Sequence, residues 1–159
     1  MKMSIDLPVI DLHGKRSVTE SLDAEDLGQG RYRLLYSPGL TDGLAAGDEI
    51  ELTDKELCGF RVVKRSGNLC IWVFLGSEDQ LTRAKDGELC RAVEALGGYL
   101  DGGTHRSLIF TIPFRAGFAA IEKTFNTLVP KIPGATWSYG NVYDPEDKPL
   151  KWWENVRVF

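Results

Sequence analysis

The chain is poor in the side chains that hold metals and carry covalent chemistry. Among 159 residues there are two histidines, His13 and His105, and three cysteines, Cys58, Cys70 and Cys90. Neither histidine has a carboxylate, a cysteine or the other histidine at ligand spacing, so no metal site is expected. The cysteines are odd in number and show no C-x-x-C pair, which fits reduced, structural thiols better than a disulfide framework. No serine sits in a G-x-S-x-G elbow, and Gly28-Gln29-Gly30 and Gly97-Gly98 lack the spacing of phosphate-cradling loops. The expectation is a protein that works without a cofactor and is not an enzyme. Long apolar runs are also missing: nothing approaches the roughly 20 residues of a membrane span, and the N-terminal segment carries Asp6 where a leader would be apolar. A cytoplasmic location and no membrane partner are therefore expected.

Charge is present but unevenly placed. The net charge is −4, yet residues 1–56 hold twelve acids against six bases, while 57–159 hold eleven against thirteen. Nucleic-acid binding draws on clustered cations, so no nucleic-acid partner is expected, and a basic protein surface suits the acidic end better. The densest acids are Asp48, Glu49, Glu51, Asp54 and Glu56. Glu49 and Glu51 alternate with Ile50 and Leu52, the pattern of a solvated strand face, and the further expectation is a partner-binding patch.

The apolar pattern is mostly that of strands. Residues 1–16 read as an irregular lead-in or edge. Val18–Leu27 and Arg31–Ser37 flank Gly28-Gln29-Gly30 as a hairpin, and Glu49–Leu52 follows as a strand. Gly59–Arg65 and Leu69–Leu75 flank Ser66-Gly67-Asn68, which reads as a second hairpin. Cys70-Ile71-Trp72-Val73-Phe74-Leu75 has no polar alternation, as a strand buried on both faces requires. Ser77 with Gln80 resembles a helix start, and Leu89, Ala92, Val93 and Leu96 lie at helical spacing before Gly97-Gly98. Tyr99-Leu100 reads as a short strand, Asp101-Gly102-Gly103-Thr104 as a turn, and Ser107–Ile112 as a strand. Phe118, Ile121, Phe125 and Leu128 form a helical stripe stopped by Pro130, and Thr136–Tyr143 alternates as a last strand.

The fold class expected is α+β: a small antiparallel β lobe over 1–68, a ferredoxin-like βαββαβ sandwich over 69–143 and a C-terminal tail over 144–159, in one compact body. Such a sheet raises RNA recognition through Trp72, Phe74 and Phe110, but Ser107–Ile112 lacks the basic, glycine-and-aromatic signature of those domains. The tail carries Trp152-Trp153. Tryptophan is enriched in binding hot spots, and the plainer account is that these rings dock back on the body.

Gly30-Arg31-Tyr32-Arg33-Leu34, Gly43-Leu44-Ala45-Ala46-Gly47-Asp48-Glu49-Ile50-Glu51, Phe60-Arg61-Val62-Val63-Lys64-Arg65-Ser66-Gly67 and Ala95-Leu96-Gly97-Gly98 resemble the bacterial family catalogued as domain of unknown function 4265. The likeness runs from about Ser17 to Tyr143 and names no active site. It implies a small bacterial protein and, because some members look like immunity proteins, a partner that is a cognate protein toxin domain, possibly basic. On that implication the chain is an immunity-type binding protein that neutralises the toxin by occluding it, with Asp48, Glu49, Glu51, Asp54, Glu56, Trp152 and Trp153 at the contact. The other function open to it is a small-molecule-sensing regulatory module, since sheets of this kind also bind ligands at their seams.

Overall fold

A computed structural model describes residues 1–10, 16–53, 59–77, 80, 87–104 and 106–156. Two antiparallel sheets divide its strands. The first takes β1 (Lys2–Ile10), β2 (Arg16–Gly28), β3 (Arg31–Leu34), β4 (Glu49–Leu52) and β5 (Phe60–Lys64) in sequential order. The second takes β6 (Asn68–Phe74), β7 (Tyr99–Thr104), β8 (Ser107–Pro113) and β9 (Thr136–Tyr139) in the order β7-β8-β6-β9. Helices α1 (Glu88–Ala95) and α2 (Phe118–Leu128) complete an α+β architecture. Among the described residues no helix is long and apolar enough to cross a membrane.

Alternation builds the first sheet. Ile5 and Leu7 of β1 are buried between exposed Ser4 and Asp6, and they join Leu22, Ala24, Leu34, Leu44, Ile50 and Phe60 in one core. Of the two readings of residues 1–16, a lead-in or an edge, the edge holds over the first part, where β1 is a nine-residue strand. Its period-2 signal was interrupted by Pro8, which is tolerated because β1 is an edge strand. The expected hairpin between β2 and β3 is present: Gln29 and Gly30 both adopt positive φ, 58° and 77°, as a two-residue turn of the primed type requires.

The second sheet has a different layer on each face. On one side Leu69, Ile71 and Val73 of β6 and Leu108, Phe110 and Ile112 of β8 pack against Leu89 and Val93 of α1 and Ile121 and Phe125 of α2. Both helices thus cover the same face. α1 ends where Gly97 turns at φ 87° and the Gly98 N–H donates to Val93 O at 3.0 Å. A Cβ on Gly98 would lie 2.6 Å from Thr111 O, so only glycine lets the helix end this close to β8. The opposite face presents Cys70, Trp72 and Ile109, which bury Ala45. Ala45 belongs to the connection between β3 and β4, and the Trp72 indole N–H donates to Pro38 O of that connection at 2.8 Å. Residues 35–48 are therefore the layer between the two sheets.

Two connections differ from the reading of the sequence. Ser66-Gly67-Asn68 is not a hairpin turn: β5 pairs with β4, whereas β6 pairs with β8 and β9. The turn chemistry is there, but the chain changes sheets across it, because β6 is apolar on both faces and finds two partners of its own. Nor is Asp101–Thr104 a turn. β7 runs through it, and the register with β8 slips between Leu100↔Phe110 and Gly102↔Ile109, leaving Asp101 as the extra residue of a β-bulge. Much of the first half of the helix expected from Ser77, residues 78–79 and 81–86, falls outside the described residues, as do Cys58, His13 and His105; Cys70 and Cys90 are buried.

Candidate binding cleft

The acids expected at a partner surface have separate fates. Asp48 is 1% exposed. Its carboxylate accepts the Ala45 N–H at 3.0 Å and the Ser66 N–H at 2.9 Å, and pairs with Arg65 at 3.4 Å. Burial pushes its pKa up; the Ser66 amide, the Arg65 charge and the Ala45 amide pull it back. Asp48 is an internal clamp and offers a partner no surface, a correction to its place in the expected patch. The reason is the turn at Gly47, which points the side chain under the chain while its neighbours follow the strand.

Glu49 and Glu51 do lie on an outer sheet face, but in register with cations. Arg33 lies 2.9 Å from Glu25 and 3.7 Å from Glu49, and Glu49 is 3.9 Å from Lys64. That row crosses four strands with two acids and two bases. Beside it Glu51 faces Arg31 on β3 and pairs with Arg61 on β5 at 2.5 Å. The acidic strand is thus neutralised by its neighbours, each cross-strand pair contributing a fraction of a kcal/mol, roughly 0.2–1. Asp54 and Glu56 lie outside the described residues.

The two tail tryptophans face inward. Trp152 is buried, its indole N–H donating to Asn141 O at 2.8 Å. Its ring meets Phe114 and carries the Arg65 guanidinium 5.8 Å from its centroid. Trp153 is half-buried edge-on against Phe118, centroids 5.0 Å apart. Arg65 therefore links the Asp48 clamp to the tail. Trp72 and Phe110, the rings raised for RNA stacking, are buried on opposite faces of the second sheet, and Phe74 alone of the three is exposed.

A concave site does exist, and its residues were not singled out in the sequence. A cleft of about 290 Å³ opens between β2, the 35–48 connection and the β7 bulge, lined in part by Glu20, Asp23, Tyr36, Ser37, Asp101 and Ile109. Glu20 anchors one wall, its carboxylate accepting the N–H groups of Gly39 at 2.8 Å and Thr41 at 2.8 Å and the Thr41 hydroxyl at 2.7 Å. Asp101 anchors the other. One of its oxygens accepts from the Ser37 N–H at 3.1 Å and from the Thr111 hydroxyl. Because an ionised carboxylate only accepts, the direction of the chain behind it follows: the Ala46 N–H donates to Ser37 Oγ at 3.0 Å, and Ser37 Oγ donates to Thr111 Oγ1 at 2.6 Å. The second oxygen, Oδ1, is buried and has no hydrogen-bond partner among the described residues. Burial accordingly raises the Asp101 pKa, against the pull of Thr111 and Ser37.

One wall of the cleft carries an aromatic ring, Tyr36, 46% exposed. Tyr99, 45% exposed, lies near Asp101: burial, then the charge on Asp101, raises its phenol. Asp42, whose pKa burial also raises, adds negative charge to the field at this end of the sheet. The signal in the sequence was Asp101-Gly102-Gly103 inside an otherwise strand-like stretch, since glycine within a strand often marks a bulge that re-aims a side chain.

A family model described as Domain of unknown function (DUF4265) matches residues 20–131, a span that holds Glu20, Tyr36, Tyr99 and Asp101 and ends before the tail. No curated protein matches the chain. Among solved structures, a hypothetical protein from Neisseria gonorrhoeae superposes with a TM-score of 0.68 over 88% of this chain and 94% of its own, at 16% identity. A likeness at that identity is one of fold.

Proposed function

The chain belongs to the DUF4265 family, and from that premise we propose that it works by binding: an immunity-type protein, active in the cytoplasm without a cofactor, that neutralises a cognate toxin domain by occluding it. The observation that carries the reading is the cleft. The acids of the strand around Glu49 are paired within the chain, whereas at the cleft a carboxylate keeps an oxygen with no partner among the described residues, and the exposed Tyr36 lines the same cleft. Clefts with a few convergent polar groups and perturbed carboxyls are where binding sites concentrate, and tyrosine is a frequent anchor at interfaces. The contact is thereby moved from Glu49, Glu51 and the tryptophan tail to the seam between the two sheets. The strand order β7-β8-β6-β9 with both helices on one face supports describing the second half as a ferredoxin-like sandwich, with the cleft on the face away from the helices.

The test is co-expression of the full chain with a toxic domain encoded beside it in the genome. Rescue of growth, with a complex that survives gel filtration and is weakened by Tyr36→Ala, is the expected result. A toxic domain that kills undiminished and does not bind overturns the reading. The volume of the cleft favours one alternative, a small-molecule-sensing regulatory module, whose signature is a metabolic operon in place of a toxin gene.

A further inference from the structure

We propose that the cleft takes a single organic cation, the guanidinium or ammonium of an exposed arginine or lysine side chain on the partner protein. The inference rests on the binding reading above and names what that site recognises.

The charge of the lining comes first. Glu20, Asp23 and Asp101 contribute carboxylates, and among the described residues that line the cleft there is no lysine, arginine or histidine. Acids facing a shared cleft with no cation between them raise the local affinity for a positive group. Asp101 is the focus, because its Oδ1 is buried without a hydrogen-bond partner among the described residues while its other oxygen is fixed by Ser37 and Thr111. An arriving cation offsets the cost of keeping that carboxylate ionised away from water.

The chain itself supplies an independent sign of the ligand. Lys2 of β1 reaches over the mouth with its ammonium 3.4 Å from the Asp23 carboxylate and 6.0 Å from the centroid of the Tyr36 ring. A carboxylate and an aromatic face around one ammonium is the arrangement by which organic cations are recognised. Lys2 is largely exposed there, its side chain retaining 61% of its accessibility, so it marks the chemistry of the rim and leaves the interior open. A bare metal ion fits less well: among the described residues no three carboxylates, cysteines or histidines converge to hold one. The carboxylates spread over two walls suit a cation whose charge is spread over several N–H groups and whose apolar stem lies along Tyr36 and Ile109.

Ionisation gives the site a pH signature. The charged and titratable groups around Asp101 are Glu20 and Asp23 from β2 and Tyr36 from the connection, which line the same cleft, Tyr99 from its own strand and the Cys70 thiol from β6. Protonating Asp101 removes the charge that the cation needs, so binding weakens as pH falls through the raised pKa of that carboxyl.

The experiment titrates the purified full chain with Nα-acetyl-argininamide and Nα-acetyl-lysinamide, followed by backbone amide NMR, with the uncharged citrulline analogue and calcium chloride as parallel probes. Saturable shifts at Tyr36, Ser37 and Gly102 with the cationic amides, absent with citrulline and diminished at lower pH, are expected. Asp101→Asn should weaken binding by about tenfold or more, as loss of a close charge partner does. Lys2→Ala should leave binding intact or tighten it by removing an internal competitor. The spectrum reports folding directly; if Asp101→Asn is unfolded, Tyr36→Leu takes its place, with a loss of about fivefold expected from the missing ring face. No saturable shift with either amide, equal binding of citrulline, shifts produced by calcium alone, or an undiminished response in the variants each overturns the proposal. The probes involve no toxin: their failure beside an intact toxin complex removes this inference alone, and their success beside a toxin that does not bind removes the immunity reading alone.

Discussion

The strand from Asp48 to Glu51 and the cleft around Asp101 are both acidic, and the molecule treats them in opposite ways. The strand is dense in acids along the chain, yet Arg33, Lys64, Arg61 and Arg65 meet those acids from neighbouring strands and loops. The cleft draws Glu20 and Asp23 from β2 and Asp101 from the β7 bulge, and among the described residues Asp23 alone of these three pairs with a cation, Lys2. Density of charge along a sequence therefore says little about field in space. What matters is whether the register of the sheet places a base opposite each acid.

The largest effects that would break this contrast concern the seam. Trp152→Ala removes a buried ring that supports both the second core and the Arg65 guanidinium, and it should cost about 3–5 kcal/mol in urea unfolding. A loss under about 1 kcal/mol, with a partner complex weakened instead, would return the tail to the interface. Asp48→Ala should cost about 3 kcal/mol by the same measurement, because it leaves Arg65 and the Ala45 and Ser66 amides without their acceptor. A near-neutral result would make Asp48 no different from its exposed neighbours.

Asp101→Asn sharpens the contrast through pH. The folded-state pKa of Asp101 is raised above its ordinary 3.8, so between that value and the raised one the native state binds more protons than the unfolded chain. Its contribution to stability is then complete below pH 3.8 and declines as pH rises through the folded pKa. The variant should flatten that part of the stability profile, measured by thermal melts at a series of pH values; an unchanged slope would show that the carboxyl titrates normally. The smallest effect belongs to the strand. Glu49→Lys with Glu51→Lys places like charges opposite Arg33, Lys64, Arg31 and Arg61, and it should cost no more than about 1 kcal/mol. It should leave cation binding in the cleft unchanged; a clear loss would move the site back to this face.

Much of the framework was legible. The unbroken apolar run from Cys70 marked the central strand, the stripe of Phe118, Ile121, Phe125 and Leu128 marked a helix, and Gly97-Gly98 marked a helix end. Residues 1–16 left open a lead-in or an edge, although Ile5 and Leu7 alternate with Ser4 and Asp6, because the alternation is too short to settle a strand before its pairing with β2 is known. Of the site, little was readable. Tyr36 and Tyr99 looked like ordinary strand tyrosines, Glu20 like one acid among many, and Asp101 like the first residue of a turn.

The amino-acid sequence by itself determined which segments bury a face and which carry turns, because burial follows a period that one strand or helix sets alone. It determined the α+β class, the rarity of metal-ligating side chains and the excess of acids in the first third. Only the tertiary structure decided where those acids are satisfied. Asp48 is locked by Arg65 across the chain, Glu49 and Glu51 are matched by strands on either side, and Asp101 is turned toward Ser37 by a one-residue slip of register. Register and sheet order arise from pairings between distant segments, and no local pattern records them. The energy of a carboxylate depends on what lies within a few ångströms of it, so its role in this protein was settled by partners that the chain supplies only once folded.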